Sequence, residues 1–109
     1  MPFFIKTEKF TDNTKRLSNE ERKLFLLMHR DWIESLIQSG EFILSGYLTD
    51  AERIPGGGGV LIVEAENYLA AKNIILNDPM IINKLVKWEL HEWIPVAKNF
   101  NNKLFNHLG

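Results

Sequence analysis

A histidine inside an apolar helical stretch, an aspartate that precedes a proline, and a hydroxyl beside a glycine are the residues of this chain most suited to chemistry. The histidine is His29. Its ordinary pKa lies near neutrality, so the ring can both give and take a proton. At about 100° per residue it falls between Phe25 and Ile33, on the helix face that also carries Trp32 and Leu36. A titratable ring on such a face is either a core residue that donates to a backbone carbonyl or the floor of a pocket, and the spacing leaves both open. An aspartate next to one ring nitrogen would fix its tautomer and support the charged form. Asp78 is available at a helix end. Its Asp-Pro step also reads as a plain turn whose carboxylate accepts backbone hydrogens. Asp31 points elsewhere on the helix and is a poor direct partner for His29. Ser45, before Gly46, offers a hydroxyl to a bound oxygen, and Tyr47 offers a pocket donor or wall. Ordinary strand packing accounts for these residues equally well.

Other chemistries find less support. The four glycines at positions 56 to 59 lack the Lys-Ser or Lys-Thr of a phosphate-binding loop and do not open a helix, so they read as a mobile lid or a flexible turn. His29, His91 and His107 have no recognised ligand spacing, and neither a metal nor another cofactor is expected. Trp32, Trp88 and Trp93 read as core or interface anchors rather than base-stacking platforms. The chain has no cysteine, which excludes disulfides, thiolate nucleophiles and thiolate metal sites.

The 109 residues are 45% hydrophobic and 25% charged, an ordinary globular balance for one domain and one modest core. A net charge of -1 with the signs interspersed offers no basic patch for nucleic acid or an anionic membrane surface. The start, MPFFIKTEKF, lacks a basic leader followed by a long apolar run, and no apolar run approaches a membrane span. These features fit a reducing cytoplasm.

The elements that must hold the candidate residues follow from periodicity. Residues 3 to 9 alternate as a strand, with Phe3, Ile5 and Thr7 on one face and Phe4, Lys6 and Glu8 on the other. TDNTKR reads as a polar connection. Ser18 and Glu21 form a capping box for a helix over 19–39, which Gly40 ends. A second strand spans 42–48, with Gly46 inside it implying a bulge or a close backbone approach. The segment TDAERIPGGGG reads as a flexible connection before a third strand over 60–65. A second helix runs from Glu66 or Asn67 to near Asn77, where Asp78-Pro79 breaks it. A fourth strand covers 85–94, with Val86, Trp88, Leu90 and Ile94 on one side and Lys87, Glu89, His91 and Trp93 on the other. The order strand, helix, strand, strand, helix, strand predicts an α+β chain of the ferredoxin-like split βαβ kind. Its four-stranded antiparallel sheet carries both helices on one face. The other face then needs a cover, which a second copy of the chain would supply as a homodimer. Residues 97–109 form a polar tail in which Phe100, Leu104, Phe105 and Leu108 suggest a short helix.

In order along residues 1–96, His29, LSGYLTD at positions 44 to 50, the glycine run before VLIVEAEN, NDP at positions 77 to 79 and the closing WELHEWIP resemble the YCII-related domain family. The resemblance implies a fold of the dimeric α+β barrel type, a homodimer, and a pocket with a His-Asp acid–base pair. The matching residues here are His29 and Asp78. It also implies kinship with dehydrochlorinases or isomerases of ring-cleavage pathways. Where the family often has Gly-Pro at the end of the second strand, this chain has Gly46-Tyr47, and the Tyr47 phenol is placed to fill part of the pocket. The reading is therefore a lyase or isomerase needing no cofactor, acting on a small organic acid or ring-derived compound. Its site residues are His29, Asp78, Ser45, Gly46 and Tyr47. The alternative is a non-catalytic small-ligand-binding or dimeric structural module.

Overall fold

In the computed structural model, which describes residues 1–97, a four-stranded antiparallel sheet carries the helices on one face. The strands are β1 (Phe3–Phe10), β2 (Ile43–Thr49), β3 (Pro55–Glu64) and β4 (Val86–Trp93), in the spatial order β2-β3-β1-β4. The helices are α1 (Asp12–Arg16), α2 (Asn19–Gln38), α3 (Tyr68–Ile75) and α4 (Pro79–Ile82). The split βαβ arrangement expected from periodicity is therefore present. The tail expected to form a short helix lies outside the described residues.

Local rules account for the ends of α2. Ser18 Oγ accepts from the Glu21 N–H at 3.1 Å, and Glu21 Oε1 accepts from the Ser18 N–H at 3.3 Å, closing the capping box. At the other end Gly40 takes φ +86°, and the Gly40 and Glu41 amides donate to the Ile37 and Leu36 carbonyls. That is a Schellman stop, and it needs the left-handed backbone that glycine adopts at little cost.

Three expectations are corrected. The glycine run is not a flexible connection or a lid. Positions 55 to 59 form the first half of β3, where Gly59 lies opposite Glu8 on one side and Tyr47 on the other. Ladder pairing on both sides outweighs the low strand propensity of glycine. TDNTKR is not a plain connection, because Asp12–Arg16 closes as α1 and seats the buried Thr14 hydroxyl on the Leu85 carbonyl. Asp78-Pro79 does end α3, and it also starts α4, with Asp78 as N-cap and Pro79 in the first turn. Gly46 meets no neighbour that a side chain would strike. The close approach lies across the ladder, where a Cβ on Gly59 would come 3.1 Å from the Gly46 carbonyl oxygen.

The core lies between the sheet and the helices. Phe4, Leu61, Val63 and Leu90 project from the sheet onto Ala71 and Ile75 of α3, with Trp32 and Ile33 of α2 packed alongside. A smaller cluster of Met80, Leu85 and Val86 joins α4 to the end of β4. The other sheet face carries Phe3, Ile5, Val60, Ile62, Leu44 and Trp93, with no helix over it among the described residues. Among the described residues no helix is long and apolar enough to cross a membrane.

Candidate active site

β1 alternation puts Phe4, Lys6, Glu8 and Phe10 on the helix-covered face. Lys6 and Asp78 are fully buried there. A lysine in such a place requires an anion at hand, since an isolated buried charge costs far more than any packing gain returns. Its Nζ meets two, Asp78 Oδ2 at 3.0 Å and Glu8 Oε1 at 3.0 Å. Asp78 Oδ1 accepts the Met80 N–H at 2.9 Å as the cap of α4, and lies 2.8 Å from His29 Nδ1. The carboxylate thus does both things that the sequence left as alternatives: it caps a turn and it holds the histidine.

Burial by itself pushes the Asp78 carboxyl up. The His29 hydrogen bond, the charges of Lys6 and His29, and the Met80 amide outweigh burial and hold it below the ordinary value. Asp78 is therefore anionic at neutral pH. A carboxylate only accepts, so the ring proton facing it sits on Nδ1, and Nε2 remains as the nitrogen available for exchange with a ligand. His29 is half-buried, tilted against Trp32 at a ring separation of 5.7 Å.

His29 opens onto a cavity of about 480 Å³ between α2 and the β2–β3 end of the sheet. Phe10, Leu26, Ile33 and Met80 form apolar walls, and Ser45, Gly46 and Tyr47 lie along one side. The volume lies within the range typical of small-molecule sites, about 300–1,000 Å³. Its floor exists because side chains are missing. On β3, a Cβ at Gly57 would come 3.2 Å from the Phe10 ring, and one at Gly59 would come 3.4 Å from Glu8 Cγ. Gly57 also takes φ +81°, which side chains resist.

The structure brings all five sequence-derived site residues to one place. His29 and Asp78 are bonded, and Ser45, Gly46 and Tyr47 share the cavity with His29. Tyr47 is mostly exposed, at the rim rather than filling the interior. His91 is exposed, 4.0 Å from Glu89, on the opposite sheet face. Among the described residues no group of three or more metal-ligating side chains is assembled. His107 lies outside those residues.

Sequence reasoning missed Lys6 and Glu8, which join the pair to the cavity. A signal was present. The alternation placed Lys6 on the same face as Phe4 and Glu8, and a lysine on an inner strand face calls for a buried carboxylate.

No family model matches the chain, and no curated protein matches it. Among solved structures it is similar to 5-chloro-2-hydroxyhydroquinone dehydrochlorinase (TftG) from Burkholderia phenoliruptrix AC1100, in complex with 2,5-dihydroxybenzoquinone. The TM-score is 0.62 at 20% identity, covering 84% of this chain and 93% of that chain. A likeness at this identity is one of fold: a four-stranded antiparallel sheet with helices on one face.

Proposed function

We propose that this chain is a YCII-related protein that works as a lyase or isomerase on a small organic acid or ring-derived compound. The observation that carries the reading is the 2.8 Å contact between His29 Nδ1 and a buried, doubly anchored Asp78, beside an apolar cavity. His29 takes or returns a proton at Nε2. Asp78 fixes the tautomer and balances the imidazolium. The Ser45 hydroxyl and backbone groups near Gly46 are available to a developing oxyanion. An elimination or a tautomeric shift needs this set of parts, a base near carbon or oxygen and a dry wall beside it. The solved neighbour of like fold, a dehydrochlorinase with a ring compound bound, supports the ring-derived class.

A panel of hydroxylated rings, lactones and small organic acids, run with wild type and His29→Ala, tests this. Turnover in wild type should fall at least about 100-fold in the variant, the usual contribution of positioned acid–base groups. Equal turnover in both removes His29 from the mechanism. Binding without turnover in either supports a ligand-binding module.

We also propose a homodimer. The sheet face that no described helix covers presents Phe3, Ile5, Ile62, Leu44 and Trp93 side by side, and a second copy packed against it would bury them. Sedimentation should find a dimer at micromolar concentration and a monomer for Ile62→Asp. A monomeric wild type contradicts it.

A further inference from the structure

Glu8 and His29 both line the cavity, and they are the two ends of one chain of charges: Glu8 Oε1 to Lys6 Nζ at 3.0 Å, Lys6 Nζ to Asp78 Oδ2 at 3.0 Å, Asp78 Oδ1 to His29 Nδ1 at 2.8 Å. Lys6 is fully buried, so it serves the two carboxylates and meets no ligand. The Glu8 side chain keeps 13% of its surface open and lines the cavity that His29 lines, as well as a smaller one toward Lys87 and Trp88. Oε2 makes no hydrogen bond among the described residues, and the cavity walls Phe10, Leu26, Ile33 and Met80 have no side-chain group to donate. Gly59 leaves the space in which this carboxylate lies, since a Cβ there would come 3.4 Å from Glu8 Cγ and 3.6 Å from Oε1.

We infer that Glu8 is the substrate-recognising carboxylate of the cavity, accepting through Oε2 a hydrogen bond from a hydroxyl on a ring-sized, otherwise apolar compound. A carboxylate offers only acceptors, so its partner must be an O–H or N–H donor. The cluster holds one cation, Lys6, and two anions, Glu8 and Asp78, so with a neutral imidazole it carries a net negative charge. It therefore repels a carboxylate brought to the same end. Arg30, the cation at the mouth, is largely exposed and makes only long contacts of 3.9 Å to Asp31 and Glu34. Among the compounds named under the proposed function, the inference selects hydroxylated rings over organic acids. It rests on that reading for the identity of the pocket, but not on turnover.

Phenol and anisole differ only in whether the ring oxygen carries a hydrogen. Titrating each into the 15N-labelled protein, with benzoate as the anion, measures the preference directly. Wild type should bind phenol about tenfold or more tightly than anisole or benzoate, the size expected for a hydrogen bond to a charged acceptor. The shifted amides should include Glu8 and Tyr47. The phenol-to-anisole ratio should fall to about twofold or less in Glu8→Gln and Glu8→Ala, and persist in His29→Ala. A merely structural Glu8 would weaken both ligands alike and leave the ratio unchanged. Failure of wild type to prefer phenol, failure to bind it at millimolar concentration, or a preference that survives both Glu8 substitutions overturns the inference. Glu8→Gln keeps the shape of the side chain, so it decides the matter where Glu8→Ala does not fold. A lost preference with intact His29-dependent turnover would overturn this inference alone, and a kept preference without turnover would overturn only the catalytic reading.

Discussion

Lys6 and Asp78 form a fully buried ion pair, Nζ to Oδ2 3.0 Å, between residues 72 positions apart in the chain. The pair links the middle strand β1 to the start of α4, and through Asp78 to α2. Removing one member of such a pair leaves an uncompensated charge in the interior, which costs about 3–5 kcal/mol. Lys6→Met should lower unfolding free energy in urea by that order. The double variant Lys6→Met/Asp78→Asn should be less destabilised than the two single effects added together. Simple additivity would show that the two residues are not coupled.

Acid should act on the same pair. The folded Asp78 carboxyl lies below its ordinary value of 3.8, so in the window between the two values the unfolded chain binds more protons. Its contribution to stability is complete above 3.8 and is lost as pH falls through the lower folded value. Thermal melts of wild type and Asp78→Asn should converge as pH falls from about 5 to below 3, because only wild type has this carboxylate to lose. A constant gap over that range would show that Asp78 is not held anionic by its neighbours.

The tautomer of His29 offers a direct view of the site. In wild type the neutral ring should carry its proton on Nδ1, with Nε2 showing the 15N shift of an unprotonated nitrogen. Asp78→Asn replaces the carboxylate with a group that can also donate, and the ring should then populate the Nε2–H form. Unchanged 15N shifts in the variant would mean that Asp78 does not set the tautomer.

Gly59→Ala tests the bare floor. The added methyl would sit 3.1 Å from the Gly46 carbonyl oxygen and 3.4 Å from Glu8 Cγ, so the strand pair and the Glu8 side chain must give way. A loss of about 1–3 kcal/mol is expected, typical of overpacking, together with weaker binding of ring compounds. Gly56→Ala, whose methyl meets nothing within 4 Å and which lies outside the cavity lining, is the matched control and should leave binding unchanged. Equal effects at both positions would argue against a floor made by Gly59.

Much of this arrangement was readable from local chemistry. Ser18 and Glu21 signal the start of α2 and Gly40 signals its end, each from its own short stretch, and period 3.6 aims His29 inward with Phe25 and Ile33. What escaped depends on distant partners. Gly56 to Gly59 show no period and low strand propensity, and the segment is strand because β1 pairs with Gly58 and Gly59 while β2 pairs with Pro55 and Gly59. α4 has four residues, too few for any period to show. The alternation sets Lys6 on the face of Phe4, but nothing near it in sequence announces that Asp78, 72 positions away, lies against it.

Because Asp78 Oδ1 accepts both the Met80 amide and His29 Nδ1, the first turn of α4 and the histidine share one atom as their anchor. Fraying of that short turn releases the ring, and loss of the ring loosens the turn. The exchange rate of the Met80 amide hydrogen with solvent is therefore a running gauge of how often the site is assembled. A ligand that steadies His29 should slow that exchange, giving a label-free readout for compounds whose turnover is too slow to follow.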